Sequence, residues 1–281
     1  MHLTLPDHST LSLERPVIFG VLNITPDSFS DGGRFDDIDR AVAHGRHMVA
    51  EGGDVIDIGG ESTRPGSLPV NAAEQVRRVL PVIECLRSEV RVPLSIDTRS
   101  AVVAQAAIEA GASIINDISA GRDDPAMFEL AARRSAPLVL MHMHGTPQTM
   151  QENPTYGDVM AEILQFLLER AAAARAAGVP QGQIILDPGI GFGKTAEHNL
   201  TLLANLSRFV DSGYPVMLGA SRKRFLGTIV GEEEPRHRDI ATAATTAIAV
   251  AAGVRMLRVH DVRINRQAAD VAFAIARRRV G

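Results

Sequence analysis

A chain of 281 residues with 45% hydrophobic content is long enough to bury a large core and falls in the size range of one α/β barrel. Its 29 basic and 33 acidic residues leave a net charge of -4, so no basic surplus points to nucleic acid or an anionic membrane, and any anion site must be local. The single cysteine, Cys85, cannot form an internal disulfide, which fits a reducing compartment; in a helical stretch over 75–88 it reads as a small buried core residue.

The N-terminus, MHLTLPDHSTLSLERP, has no basic stretch followed by an apolar one. No window of the chain approaches about 18 uncharged apolar residues, so a soluble, cytoplasmic protein is expected. Residues 1–15 alternate apolar and polar in LTL and LSL and predict a short β-hairpin with a structural role. From residue 16 onward, short β-branched apolar runs recur at 17–22, 54–58, 93–96, 113–116, 137–141, 184–186, 215–218 and 255–259. Between and after them lie Ala-rich segments of helical periodicity at 39–51, 72–88, 100–110, 125–134, 158–177, 196–211, 239–252 and 264–280. Alternating strand and helix predicts parallel strands with helical crossovers, covered on both faces. Eight such units close into a (β/α)8 barrel, the TIM-barrel architecture, more naturally than into an open doubly wound sheet. Residues 1–281 therefore read as one domain, with the barrel at 16–281 and the hairpin at 1–15 lying across the barrel floor.

Function in such a barrel sits at the C-terminal ends of the strands. In chain order those ends carry Asn23, Asp57 with Glu61, Asp97, Asn116 with Asp117, His142, Asp187, Ser221 with Lys223, and Arg258 with His260. Any one of them could simply cap the next helix, and Asp117 and Ser100 fit that role. Eight polar strand ends converging on one pocket point instead to a ligand. Asn23, Arg64, Arg258 and His260 are donors or metal ligands, and with the hydroxyls of Ser62 and Thr63 they suit a diphosphate carrying a hard cation. Asp97, Asn116 and Asp187 supply acceptors for a flat ring bearing several N–H groups, and Lys223 adds a donor for its carbonyl or a ring nitrogen.

Two local patterns suggest other chemistry. The run GIGFGKT at 189–195 has the glycines of a phosphate-binding loop, but Pro188 stands where the first glycine belongs, and the G-x-G-x-x-G spacing of a dinucleotide fold is missing. His142-Met-His144 has the form of a barrel metallohydrolase pair, which normally ends the first strand; here Asn23 ends it.

The stretch GVLNITPDSFSDGG at 20–33 resembles the first signature of dihydropteroate synthases, and DIGGESTRPG at 57–66 resembles the second. SIDT at 95–98, INDIS at 115–119, MHMHGTPQTMQ at 141–151, DPGIGFGK at 187–194, GASRK at 219–223 and RVHD at 258–261 come after them in the same order. The similarity runs from about residue 16 to the C-terminus, and so many separated motifs are far more specific than one short pattern.

This resemblance implies a transferase of folate biosynthesis, a homodimer using Mg2+ and targeted by sulfonamides. It would join (7,8-dihydropterin-6-yl)methyl diphosphate to 4-aminobenzoate, releasing diphosphate. Asn23 would be the metal ligand, touching cation and diphosphate; Ser62 would bind substrate, and Thr63 and Arg64 would help close the site. Asp97, Asn116, Asp187 and Lys223 would hold the pterin, and Arg258 and His260 the diphosphate. Pro65, Phe192 and Ser221 would form the 4-aminobenzoate pocket, with its carboxylate near the start of the helix after Ser221. Asp31 would lie near the reacting methylene. The expected chemistry is an SN1-like substitution, in which Asp31, Arg64, Lys223, Arg258 and His260 act electrostatically and no activated serine or cysteine is needed. Loops 25–35 and 61–68, rich in glycine and serine, are expected to order on substrate. A non-catalytic pterin-binding module or a corrinoid-linked pterin methyltransferase domain would share the barrel and the pterin residues, but neither needs the diphosphate set.

Overall fold

The computed structural model describes residues 1–25, 34–63 and 66–278, without the side chains of 34–36. At the N-terminus β1 (His2–Thr4) and β2 (Thr10–Ser12) pair antiparallel with Leu3 opposite Leu11. Their turn is tied by Asp7 Oδ1, which accepts from Ser9 N at 3.0 Å and Ser9 Oγ at 2.6 Å. The expected hairpin is present.

Strand and helix then alternate. The first half holds β3 (Val17–Asn23), α1 (Arg34–Ala50), β4 (Val55–Gly59), α2 (Ala72–Glu89), β5 (Leu94–Asp97), α3 (Ala101–Glu109), β6 (Ile114–Asp117) and α4 (Ala126–Arg134). The second holds β7 (Leu138–Met141), α5 (Val159–Ala176), β8 (Ile184–Asp187), α6 (Ala196–Ala204), α7 (Ser207–Val210), β9 (Met217–Leu218), α8 (Arg224–Val230), α9 (Asp239–Ala251), β10 (Met256–Val259) and α10 (Val262–Ala276). The eight strands from β3 to β10 are parallel, in the order β8-β7-β6-β5-β4-β3-β10-β9. A parallel bridge from Leu186 to Val216, with Leu186 N donating to Pro215 O at 2.9 Å, joins β8 to β9 and closes the barrel.

Side chains alternate along each strand, and the two faces bury different things. Ile18, Leu22, Ile56, Ile58, Ile96, Ile115, Leu138, Leu140, Ile184 and Leu186 point outward into the layer shared with the helices. Val17, Phe19, Val55, Ile114, Val139, Ile185, Met217 and Met256 point inward, and Leu3, Leu5 and Leu13 of the hairpin region pack against them. The hairpin thus seals the N-terminal mouth with apolar surface. One inward step further along the strands stand Asp57, Asn116, Asp187 and Arg258, with Asp97 beside them on β5.

Several helices begin where the sequence supplies a cap. Asp158 accepts from Met160 N and Ala161 N at 3.0 Å, and Asp261 accepts from Ile264 N at 2.8 Å, so α10 starts earlier than the apolar periodicity suggests. Two expectations fail. Residues 196–211 form two helices, because Asn205 leaves helical geometry and turns its side-chain amide back to Thr201 O at 2.8 Å. Cys85 is exposed: α2 buries Gln75, Val79, Val82, Ile83 and Leu86, and at about 100° per residue Cys85 falls on the opposite flank.

Candidate active site

Asp97, Asn116, Asp187 and Arg258 meet above the apolar floor although their strands lie far apart in sequence. Arg258 joins two carboxylates, giving Nε to Asp57 Oδ2 and Nη2 to Asp97 Oδ2, both at 2.6 Å. Asn116 Nδ2 donates to the same Asp57 oxygen at 3.1 Å. Asp57 is fully buried, and Asp97, Asn116 and Asp187 are nearly so. Burial pushes the Asp97 carboxyl up to about 7, since the attraction of Arg258 is set against repulsion by Asp57 and Glu61. Burial also raises Asp187 to about 6, although Gly189 N donates to its Oδ1 at 2.7 Å. Arg258 is held more firmly protonated than usual: Asp57 and Asp97 outweigh its own burial.

The wall beside this floor is built by two loops. Lys223 Nζ sits 3.8 Å from the centroid of the Phe192 ring, a close cation–π contact. Burial and the nearby Arg258 lower the Lys223 ammonium to about 8. Arg222, just before it, has φ +59°, and its guanidinium holds Asp239 through two contacts of 2.8 Å, which fixes the turn that aims Lys223 inward. Ser221 Oγ lies 2.9 Å from His260 Nδ1 and accepts from His260 N at 3.1 Å, so these two expected substrate residues form one unit. The loop after β8 carries Phe192, and its approach to β7 requires glycine: at Gly189, with φ +66°, an added Cβ would lie 1.9 Å from His142 O.

Asn23 ends β3, half-buried; a Cβ on Gly59 would stand 3.4 Å from its side-chain oxygen. Among the described residues no cluster of three His, Cys, Asp or Glu could hold a metal. A single amide oxygen nevertheless fits Mg2+, a hard cation that keeps several waters and takes its other ligands from a bound phosphate. Ser62 and Thr63 are half-buried at the start of the loop after β4, where Ser62 O accepts from Ser67 Oγ at 2.6 Å. Asp31, Arg64 and Pro65 lie outside the described residues, as does most of the first loop expected to order on substrate.

Three groups near the site escaped sequence reasoning. Asp57 and Glu61 stood among the polar strand ends but without a role. Glu61 accepts from Val70 N at 2.9 Å and from Arg99 Nη2 at 3.1 Å, pinning both ends of its loop, and Arg99 reaches Asp123 at 2.6 Å. Lys194, which sits in the misleading phosphate-loop pattern, is buried, with Nζ 2.9 Å from both His142 Nδ1 and Phe192 O. Burial holds the Lys194 ammonium well below its ordinary range, and burial with the Lys194 charge pushes His142 down to about 2. Its neutral ring is therefore committed to Lys194. Asp117 caps a turn, accepting from Ser119 N, Ser119 Oγ and Gly121 N; Ser100 occupies the N-cap of α3 without a side-chain cap bond. The signal for Lys194 was its place in a buried loop between two strand ends.

The family model of pterin binding enzymes matches residues 19–260. A dihydropteroate synthase of Synechocystis is 46% identical over 264 residues, covering 94% of this chain and 91% of that one. A crystal structure of the Yersinia pestis dihydropteroate synthase with a sulfonamide drug complex superposes with a TM-score of 0.92 at 42% identity, covering 98% of this chain and 99% of that one. The Xanthomonas albilineans dihydropteroate synthase with 4-aminobenzoic acid gives 0.91 at 44% identity, over 98% and 97%.

Proposed function

This chain belongs to the pterin-binding enzymes, among the dihydropteroate synthases, and we propose from that premise how its residues divide the reaction. It is a transferase of folate biosynthesis that condenses (7,8-dihydropterin-6-yl)methyl diphosphate with 4-aminobenzoate to 7,8-dihydropteroate and diphosphate. The observation that carries the assignment of the site is the polar layer of Asp97, Asn116, Asp187 and Arg258 standing directly on the apolar barrel floor, with Lys223 in the wall beside it. The carboxylates of Asp97 and Asp187 and the Asn116 amide oxygen accept the pterin N–H groups, and Lys223 donates to the ring. Arg258 and His260 take the diphosphate at the rim, with Ser62, Thr63 and Arg64 closing over it. Phe192, Ser221 and Pro65 border the 4-aminobenzoate site, and α8 begins at Arg224 beside it.

The bond from methylene carbon to diphosphate oxygen breaks first, because the electron-rich dihydropterin delocalises the resulting cation. The amine nitrogen then bonds to that carbon and releases its proton to water. Arg258 and His260 hold the departing negative charge, and Asp31 would stabilise the cation, so the protein acts by preorganised electrostatics. Mg2+, held by Asn23 and the substrate, would supply further neutralisation of the diphosphate. A sulfonamide, imitating the aromatic amine, competes for the same place.

The barrel and hairpin form one domain over 1–281. The apolar groove of about 620 Å³ between α9 and α10, lined by Ile248, Ile264, Val271 and Ile275, supports a homodimer interface. Among the described residues no helix is long and apolar enough to cross a membrane, and with the lone cysteine this supports a cytoplasmic enzyme. The assay that tests the function measures diphosphate release with Mg2+ and the pterin substrate. Release that depends on 4-aminobenzoate is expected; no release, or release indifferent to the amine, would refute it and favour a binding module.

A further inference from the structure

The division of labour above leaves Asp57 without a task, although it is the most deeply buried carboxylate of the polar layer, at 0% exposure. It stands on β4 opposite Ser95 of β5 and Val21 of β3, one inward step above Val55 of the floor. A charged group so placed carries a large desolvation cost that its hydrogen-bonding partners must offset. Its Oδ2 accepts from Arg258 Nε and Asn116 Nδ2, while its Oδ1 is buried with no hydrogen-bond partner among the described residues. Both partners belong to the substrate site, one assigned to the diphosphate and one to the pterin.

Chemistry fixes what those contacts do. An ionised carboxylate only accepts, so Asn116 must turn its NH2 toward Asp57 and its carbonyl oxygen away from it. That leaves Asn116 an acceptor for a ring N–H. Arg258 presents a fork of which Nε is committed to Asp57 and Nη2 to Asp97, and neither contact uses Nη1. A pterin that donates to Asp97 competes with Nη2 for the same carboxylate. Because Asp57 keeps Nε, the guanidinium loses one partner without being released, and its Nη groups become available to the diphosphate.

We propose that Asp57 is the positioning residue of the site, setting the acceptor direction of Asn116 and tethering Arg258 while the pterin takes over Asp97. Asp57 touches no substrate atom in this arrangement. The inference rests on the reading that the ring lies on Asp97 and Asn116 and the anion on Arg258, and the test separates the two. Calorimetric titration of wild type, Asp57→Asn and Asp57→Ala would use two probes: 6-hydroxymethylpterin, which lacks phosphate, and inorganic diphosphate with Mg2+. Asp57→Asn keeps the shape and one acceptor oxygen, so it covers the case in which Asp57→Ala fails to fold. Both variants should bind each probe at least about tenfold more weakly, while the KM for 4-aminobenzoate stays within about twofold. A purely structural role would lower the melting midpoint and leave both affinities of the folded protein in place. Wild-type affinity for both probes in the variants overturns the proposal alone. Failure of wild type to bind either probe overturns the site assignment and the proposal with it.

Discussion

The apolar floor and the polar layer are built on strands of the same barrel and differ by one inward step. Val17, Phe19, Val55, Ile114, Val139, Ile185, Met217 and Met256 make a dry interior that the hairpin closes. Directly above, Asp57, Asp97, Asn116, Asp187 and Arg258 fill the same barrel with charge. Burying apolar side chains stabilises the fold by roughly 1.5–3 kcal/mol each. Burying carboxylates costs stability unless they are paired, which is why Arg258 is shared between two of them. The floor is therefore built for stability, and the layer above it, held in place by its neighbour, is the proposed binding surface.

Exchanging the roles of the two layers breaks this comparison most directly. Asp97→Asn removes the charge that faces Arg258 and, on the proposed assignment, the ring, and kcat/KM for the pterin substrate should fall about a hundred-fold, with the melting midpoint largely kept. Steady-state kinetics beside thermal melting would check both halves. Phe19→Ala, in the floor, should do the reverse: about 3–5 kcal/mol of stability is lost, and kcat/KM of the remaining folded protein is unchanged. Denaturant unfolding with activity normalised to folded protein would show whether the layers are separable.

A smaller effect tests the wall. Lys194→Met keeps the bulk of the side chain but frees Phe192 O and His142 Nδ1, so the Phe192 ring loses its anchor under Lys223. The KM for 4-aminobenzoate should rise about tenfold and that for the pterin substrate by less. Equal rises in both would assign Lys194 to general stability.

The smallest and most graded effect is pH. On the proposed assignment the pterin is held by ionised Asp97 and Asp187 and by protonated Lys223. As pH falls through about 7 Asp97 takes up a proton and ceases to be a pure acceptor, and Asp187 does the same near about 6. As pH rises through about 8 Lys223 loses its proton. The profile of kcat/KM for the pterin substrate should therefore be bell-shaped with its top between those limits, and a flat profile from about 6 to 9 would contradict the assignment.

The strands and the polar residues that end them were legible because period-two alternation and β-branched runs are local signals. The barrel came from the number of those runs. What could not be read was pairing: Arg258 and Asp57 are 201 positions apart, and nothing near either residue announces the other. Lys194 was obscured by its own motif, since glycines that serve close backbone packing against His142 look like a phosphate loop. Cys85 failed for another reason. Its residue type is usually buried, but the helix phase set by Val79, Val82, Ile83 and Leu86 decides its place and puts it outside. Asn205 shows the same limit, because a single side-chain bond to Thr201 O interrupts an otherwise helical pattern.

The most direct test of the polar layer as the pterin floor is a crystal structure with the pterin diphosphate and Mg2+ bound. The ring N–H groups should lie on Asp97, Asn116 and Asp187, with Arg258 still held by Asp57 through Nε and its Nη groups turned to the diphosphate. A ring bound elsewhere, with Arg258 still bridging Asp57 and Asp97, would contradict it.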